Sequence, residues 1–203
     1  MKSKKLVSLS LAIIASLSLA ACSTSSTDTS SSSSSSVNQL TADNQETRLN
    51  FNKITTGTAA NNFQGGSTLE QLTELFGQPN SHEQRAAGDA TVEAYTWQID
   101  AITIEAQLYN NSTIAKSISG FSFIRDAKVT LKDYNKLKVN ETTYDQAVQI
   151  LGEPDVMSRA VSSDSEQVQA IWTSGLKTDS TAQVELNFTN NILTTENQVG
   201  LSN

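Results

Sequence analysis

Ser67-Thr68-Leu69-Glu70-Gln71-Leu72-Thr73-Glu74-Leu75-Phe76-Gly77-Gln78-Pro79-Asn80 decides the reading of this chain, because it occurs twice. Its twin is Thr142-Thr143-Tyr144-Asp145-Gln146-Ala147-Val148-Gln149-Ile150-Leu151-Gly152-Glu153-Pro154-Asp155. Self-similarity of this kind marks a duplicated unit. Trp97 and Trp172 keep the same spacing, and both prolines of the chain fall at equivalent places. Further on, Ile104-Glu105-Ala106-Gln107-Leu108-Tyr109-Asn110-Asn111 matches Val184-Glu185-Leu186-Asn187-Phe188-Thr189-Asn190-Asn191, and Gly120 matches Gly200. Upstream, Phe51-Asn52-Lys53-Ile54 matches Tyr134-Asn135-Lys136-Leu137, which places an insertion in the first copy within Thr58–Gly66.

Each unit reads as a helix followed by strands. Leu69, Leu72, Leu75 and Phe76 recur at helical spacing, as do Tyr144, Ala147, Ile150 and Leu151. Ser67 with Glu70, and Thr142 with Asp145, have capping-box spacing. Gly77 and Gly152 stand where a left-handed C-terminal cap belongs, with Pro79 and Pro154 just beyond. Three strands are expected per copy, over 92–99, 101–109 and 113–123, then over 167–173, 182–188 and 192–199. Asn110-Asn111 and Asn190-Asn191 read as hairpin turns, because Asn tolerates positive φ. The expected fold class is α+β: a tandem helix-plus-antiparallel-sheet unit with helices on one face.

Outward from the repeats, the chain changes character. Met1-Lys2-Ser3-Lys4-Lys5 is a positive start, and the apolar run from Leu6 to Leu19 is too short for a permanent membrane span. Residues 1–21 therefore read as a secretion signal. Leu19-Ala20-Ala21-Cys22 resembles the bacterial lipobox, which implies a lipid on Cys22 and anchorage to the extracytoplasmic face of the membrane. Residues 22–47 hold the Ser/Thr-rich run and read as a disordered tether. A flexible segment of that length spans roughly 25–30 Å. Units 48–125 and 126–203 then make up the folded part.

The signal holds three of the 14 basic residues and none of the 21 acidic ones, which leaves a mature net charge of −10. That balance opposes nucleic-acid binding. The single cysteine rules out an internal disulfide.

Phe51-Asn52-Lys53-Ile54, Gly57 and the helix ending Leu75-Phe76-Gly77-Gln78-Pro79 resemble the repeat of β-lactamase inhibitor proteins and related Gram-positive lipoproteins. Tyr134-Asn135-Lys136-Leu137 through Ile150-Leu151-Gly152-Glu153-Pro154 resembles it again. One unit is also similar to the small lipoprotein of the bacterial outer-membrane assembly machinery. The resemblance implies a concave sheet with helices behind it. Asn140 stands in the glycine place of the second copy, and the matching residues are structural, so no inhibitory residue is carried over.

Catalytic patterns are few. His82 is alone, in an expected turn after Pro79, and no metal or cofactor is expected. Ser174-Gly175-Leu176-Lys177 spells the Ser-x-x-Lys of penicillin-recognising enzymes, but Lys177-Thr178-Asp179 is not Lys-Thr-Gly. Trp97 and Trp172 read as shared core residues, with ligand stacking as the alternative. In the middle strands, Ile102, Ile104, Ala106 and Leu108, with Ala182, Val184, Leu186 and Phe188, should face the helices. Glu105, Gln107 and Tyr109, with Glu185 and Asn187, should form the binding face on the other side. The expected function is a non-catalytic cell-surface lipoprotein that binds an extracellular or cell-wall protein through that face, inhibitor-like action included. The alternatives are a solute-binding lipoprotein and a penicillin-recognising enzyme.

Overall fold

Two stretches with helical spacing and strong caps begin where the repeats begin. In a computed structural model, which describes residues 34–203 and side chains from residue 44, α2 spans Leu69–Phe76 and α4 spans Tyr144–Leu151. The caps lie one residue later than the sequence pattern suggests. Thr68 accepts from the Gln71 amide and Thr143 from the Gln146 amide, and each glutamine reaches back to its cap. Glutamine serves as well as glutamate here, because the carboxamide oxygen accepts the same backbone proton. Ser67 and Thr142 are instead buried, tying the helix entry to neighbouring backbone. Gly77 and Gly152 have φ of 79° and 80° with extended ψ, a conformation almost confined to glycine but not the expected left-handed cap.

A helix and a short turn precede these. α1 spans Ser34–Lys53 and α3 spans Leu131–Tyr134. The expectation of unstructured chain up to residue 47 is therefore corrected from Ser34 onward. Thr47, Arg48 and Phe51 are buried, and this packing fixes the end of α1 where polar composition alone gives no helix signal. The expected signal segment, Cys22 and most of the Ser run lie outside the described residues.

Eight strands follow one another as neighbours in one antiparallel sheet. They are β1 (Ser81–Ala87), β2 (Ala90–Ile99), β3 (Ile102–Tyr109), β4 (Ser112–Ser119), β5 (Val156–Val161), β6 (Glu166–Trp172), β7 (Gln183–Thr189) and β8 (Ile192–Val199). There are four strands per half, not three. β1 escaped the sequence pattern because it is an edge strand with exposed polar residues and no apolar alternation. β5 escaped because Arg159 interrupts its core-facing side. His82 accordingly lies in β1, where it stacks on Tyr95 at 4.5 Å and bonds Glu93, and not in a turn.

β4 and β5 join the halves through the pairs Ala115–Ala160, Lys116–Arg159, Ser117–Ser158 and Ile118–Met157. One core cluster draws on both halves, including Leu72, Trp97, Ile104, Leu108, Ala147, Leu151, Trp172 and Phe188. Ile150, expected to be buried, is only packed against its edge.

The halves repeat in detail. Trp97 Nε1 donates to Gly77 O at 2.8 Å, and Trp172 Nε1 to Gly152 O at 2.8 Å. Both tryptophans are core residues. Asn110-Asn111 and Asn190-Asn191 all have positive φ, as the two-residue hairpin turn demands. Register shifts fall at Gln107/Leu108 and at Asn187/Phe188.

Candidate functional site

Side chains alternate across a strand, so the sheet has a helix side and an open polar side. Ile102, Ile104, Ala106 and Leu108, with Ala182, Val184, Leu186 and Phe188, are all in the buried core. The opposite parity holds the expected binding residues. The structure places each of them there, but not equally free.

Glu105 sits across the strands from Arg85, which donates to both of its oxygens at 2.7 and 3.2 Å. Gln107 is buried rather than exposed, at 1% accessibility. Its amide donates to Glu105 at 2.9 Å, and its buried Oε1 has no partner among the described residues. Tyr109 is not a free aromatic either. Phe63, from the inserted Thr58–Gly66 segment, packs edge-to-face on it at 6.0 Å. The insertion thereby builds a second small core with Val92, Ile114 and Val161. Nothing in the residue types of Thr58–Gly66 announces this; Phe63 is its one large apolar residue.

In the second half the face is more open. Glu185 accepts from Gln169 Nε2 at 2.7 Å, and Asn187 donates to Thr195 at 3.0 Å. These line a depression of about 370 Å³ with Ser158, Ala160 and Gln167. The strip between the two acids, on β4 and β5, is made of Ala115, Ser117, Ser158 and Ala160. Sequence reasoning missed it, because the strip exists only when β4 of one half pairs with β5 of the other.

The Ser-x-x-Lys pattern is not assembled for acylation. Ser174 Oγ donates to Asp155 at 2.6 Å and accepts from Arg125 Nε at 2.9 Å. Lys177 is exposed, and its side chain makes no bond to Ser174. Asp155 is fully buried and gathers the amides of Phe123, Thr173 and Ser174. It clasps the linker between halves to the β6 end.

Across the sheet, on the helix side, a second cavity of about 500 Å³ lies at the seam between β4 and β5. Lys116 and Arg159 stand at its floor. Burial, then the nearby Arg159 and Arg48 charges, pull the Lys116 amine down to about 7. Burial first, and Glu153 next, push the Tyr144 phenol up to about 12. Among the described residues there is no cluster of side chains fit to hold a metal, and no helix long and apolar enough to cross a membrane.

This arrangement defines an α+β protein with an eight-stranded antiparallel sheet, one face covered by helices and the other polar, resembling the β-lactamase-inhibitor-protein fold. Residues 43–201 match the model of DUF3862, described as a domain of unknown function with a solved structure, and the chain belongs to that family. A crystal structure from Streptococcus mutans, of a "putative beta-lactamase inhibitor protein", is 49% identical, with a TM-score of 0.75. The match covers 78% of this chain and 98% of that one. No curated protein matches.

Proposed function

We propose that the chain is a non-catalytic, lipid-anchored protein of the extracytoplasmic membrane face that binds a protein partner through the polar side of its sheet. The observation that carries this reading is the part-exposed strip Ser117, Ser158 and Ala160, with Ala115 buried beside it. Small side chains at the centre let a partner loop approach the sheet, and the flanking Glu105 and Glu185 supply polar contacts. The inhibitor description of the Streptococcus mutans relative supports this class of function, with a β-lactamase-like enzyme as one candidate partner. Tyr109 and Gln107 are committed to internal packing, so large aromatic anchors are scarce and the affinity should be moderate.

The test is a Glu105→Lys, Glu185→Lys double variant, with partners recovered by cross-linking on intact cells. Loss of specific partners is expected with cooperative unfolding retained, although losing the Arg85 and Gln107 bonds to Glu105 should lower the melting point. An identical partner set would remove the polar face from consideration. In parallel, hydrolysis of a chromogenic penicillin by a purified serine β-lactamase would be followed with and without the protein. Slowing that the double variant relieves would mark inhibition.

The anchoring half of the proposal rests on Cys22 and its flanks. Cys22→Ala should abolish metabolic labelling with a fatty acid, and labelling that persists would end the lipoprotein reading. The matched caps, turns and Trp–Gly bonds of the two halves support an origin by tandem duplication, with units 48–125 and 126–203.

A further inference from the structure

The helix side of the sheet holds a feature that the polar face does not explain. Lys116 on β4 is paired in register with Arg159 on β5, so two cations share one spot on one face. The seam cavity of about 500 Å³ opens over them. That volume falls within the range of about 300–1,000 Å³ typical of small-molecule sites. Its walls are the chain leaving α1, through Thr55, Thr56 and Thr58, and, opposite, Tyr144, Glu153 and Glu166.

Lys116 has a structural task. Its Nζ donates to Phe51 O at 3.2 Å and Ile54 O at 2.7 Å, and it lies 4.7 Å over the Phe51 ring. Protonated, the ammonium has three donors, so one remains beyond these two carbonyls. Arg159 is less occupied. Its Nη1 meets Glu166 at 3.3 Å, and its buried Nε has no hydrogen-bond partner among the described residues. The side chains of Thr56 and Thr58 make no hydrogen bond among the described residues, which leaves two hydroxyls for a ligand.

The charges select the ligand. Lining the cavity are Lys116 and Arg159 against Glu153 and Glu166, and Arg48, fully buried behind the lining, offsets Glu153. Arg48 pairs with Glu153 at 3.3 Å and Arg159 with Glu166 at 3.3 Å, so with Lys116 protonated, below about pH 7, the surplus is one positive charge. Tyr144 stays neutral. Holding that surplus next to Arg159 and out of water is unfavourable, and a single negative charge would relieve it. A dianion would also meet two carboxylates at the wall.

We propose that the seam cavity binds a small monocarboxylate, its carboxylate resting on Lys116 and Arg159 with the Thr56 and Thr58 hydroxyls beside it. A free amino acid and the C-terminus of a short peptide share this chemistry. The site lies on the opposite side of the sheet from the proposed protein-binding face, and neither depends on the other.

The test is an amide-resonance titration of the full chain carrying Cys22→Ser. The probes are L-alanine, N-acetyl-L-alanyl-L-alanine, N-acetyl-L-alaninamide and inorganic phosphate. The expected result is saturable shifts at Thr56, Thr58 and Arg159 with at least one of the two carboxylates. The uncharged amide should give none, and phosphate should bind more weakly. Response to L-alanine points to a free amino acid; response to the dipeptide alone points to a peptide end. Arg159→Gln should weaken the carboxylate by about tenfold or more while the melting point holds, and Lys116→Met should weaken it likewise. The proposal is overturned if the amide probe shifts the same signals equally, if neither carboxylate saturates, or if folded Arg159→Gln binds as tightly as wild type.

Discussion

Replacing Asp155 by asparagine should destabilise the protein severely, although only one atom changes. The carboxylate is fully buried and every partner is a donor. Oδ1 accepts from Phe123 N at 2.8 Å and Ser174 Oγ at 2.6 Å. Oδ2 accepts from Thr173 N at 2.7 Å and Ser174 N at 2.9 Å, with Arg125 Nη2 at 3.5 Å. An amide must turn its own N–H₂ towards one of these sets. Facing Thr173 and Ser174, it would strand two amides. Facing Phe123 and Ser174 Oγ is cheaper, because a hydroxyl can rotate to accept; then only the Phe123 amide is stranded, and Arg125 faces a neutral oxygen in place of a carboxylate. An unsatisfied buried amide costs about 1–3 kcal/mol, and lost charge-assisted bonding adds to it, so we expect about 2–4 kcal/mol. Asn80 holds the equivalent place in the first half, but there it is exposed and accepts from Gln98 N at 2.7 Å. Asn80→Ala should therefore cost about 1 kcal/mol or less. Urea unfolding followed by the fluorescence of buried Trp97 and Trp172 measures both. A loss below about 1 kcal/mol for Asp155→Asn, with unchanged m-value, would refute the reasoning.

Leu72→Ala and Leu151→Ala, each emptying a buried site under a helix, should cost about 2–5 kcal/mol by the same assay. Ile150→Ala, at the edge of the core, should cost less. Lys116 gives a pH dependence. Its pKa is about 7 in the folded state against 10.5 for the free side chain, so between those values the unfolded chain binds more protons. Stability should rise with pH across that window. Lys116→Met should flatten the rise in a urea series at pH 7 and pH 10; an identical slope would sink the assignment.

The sequence alone determined what depends on local chemistry and on repetition. The helices 69–76 and 144–151, the Asn-Asn hairpins and the inward faces of β3 and β7 follow from periodicity, turn residues and the match between halves. The polar parity of Glu105 and Glu185 follows too, since both precede the register shifts and regular strand alternates faces. The tertiary structure decided everything that needs a distant partner. β1 and β5 are strands because a neighbouring strand offers hydrogen bonds to them, not because their residues prefer it. Gln107 and Tyr109 lie on the expected face but are not free to bind there, because Gln107 is buried against Glu105 and the inserted Phe63 packs on Tyr109. The Ala115–Ala160 strip and the Lys116–Arg159 pair arise where β4 of one half meets β5 of the other, 40 or more residues apart. Sequence spacing does not encode that register; it is fixed by burying one continuous core across both halves.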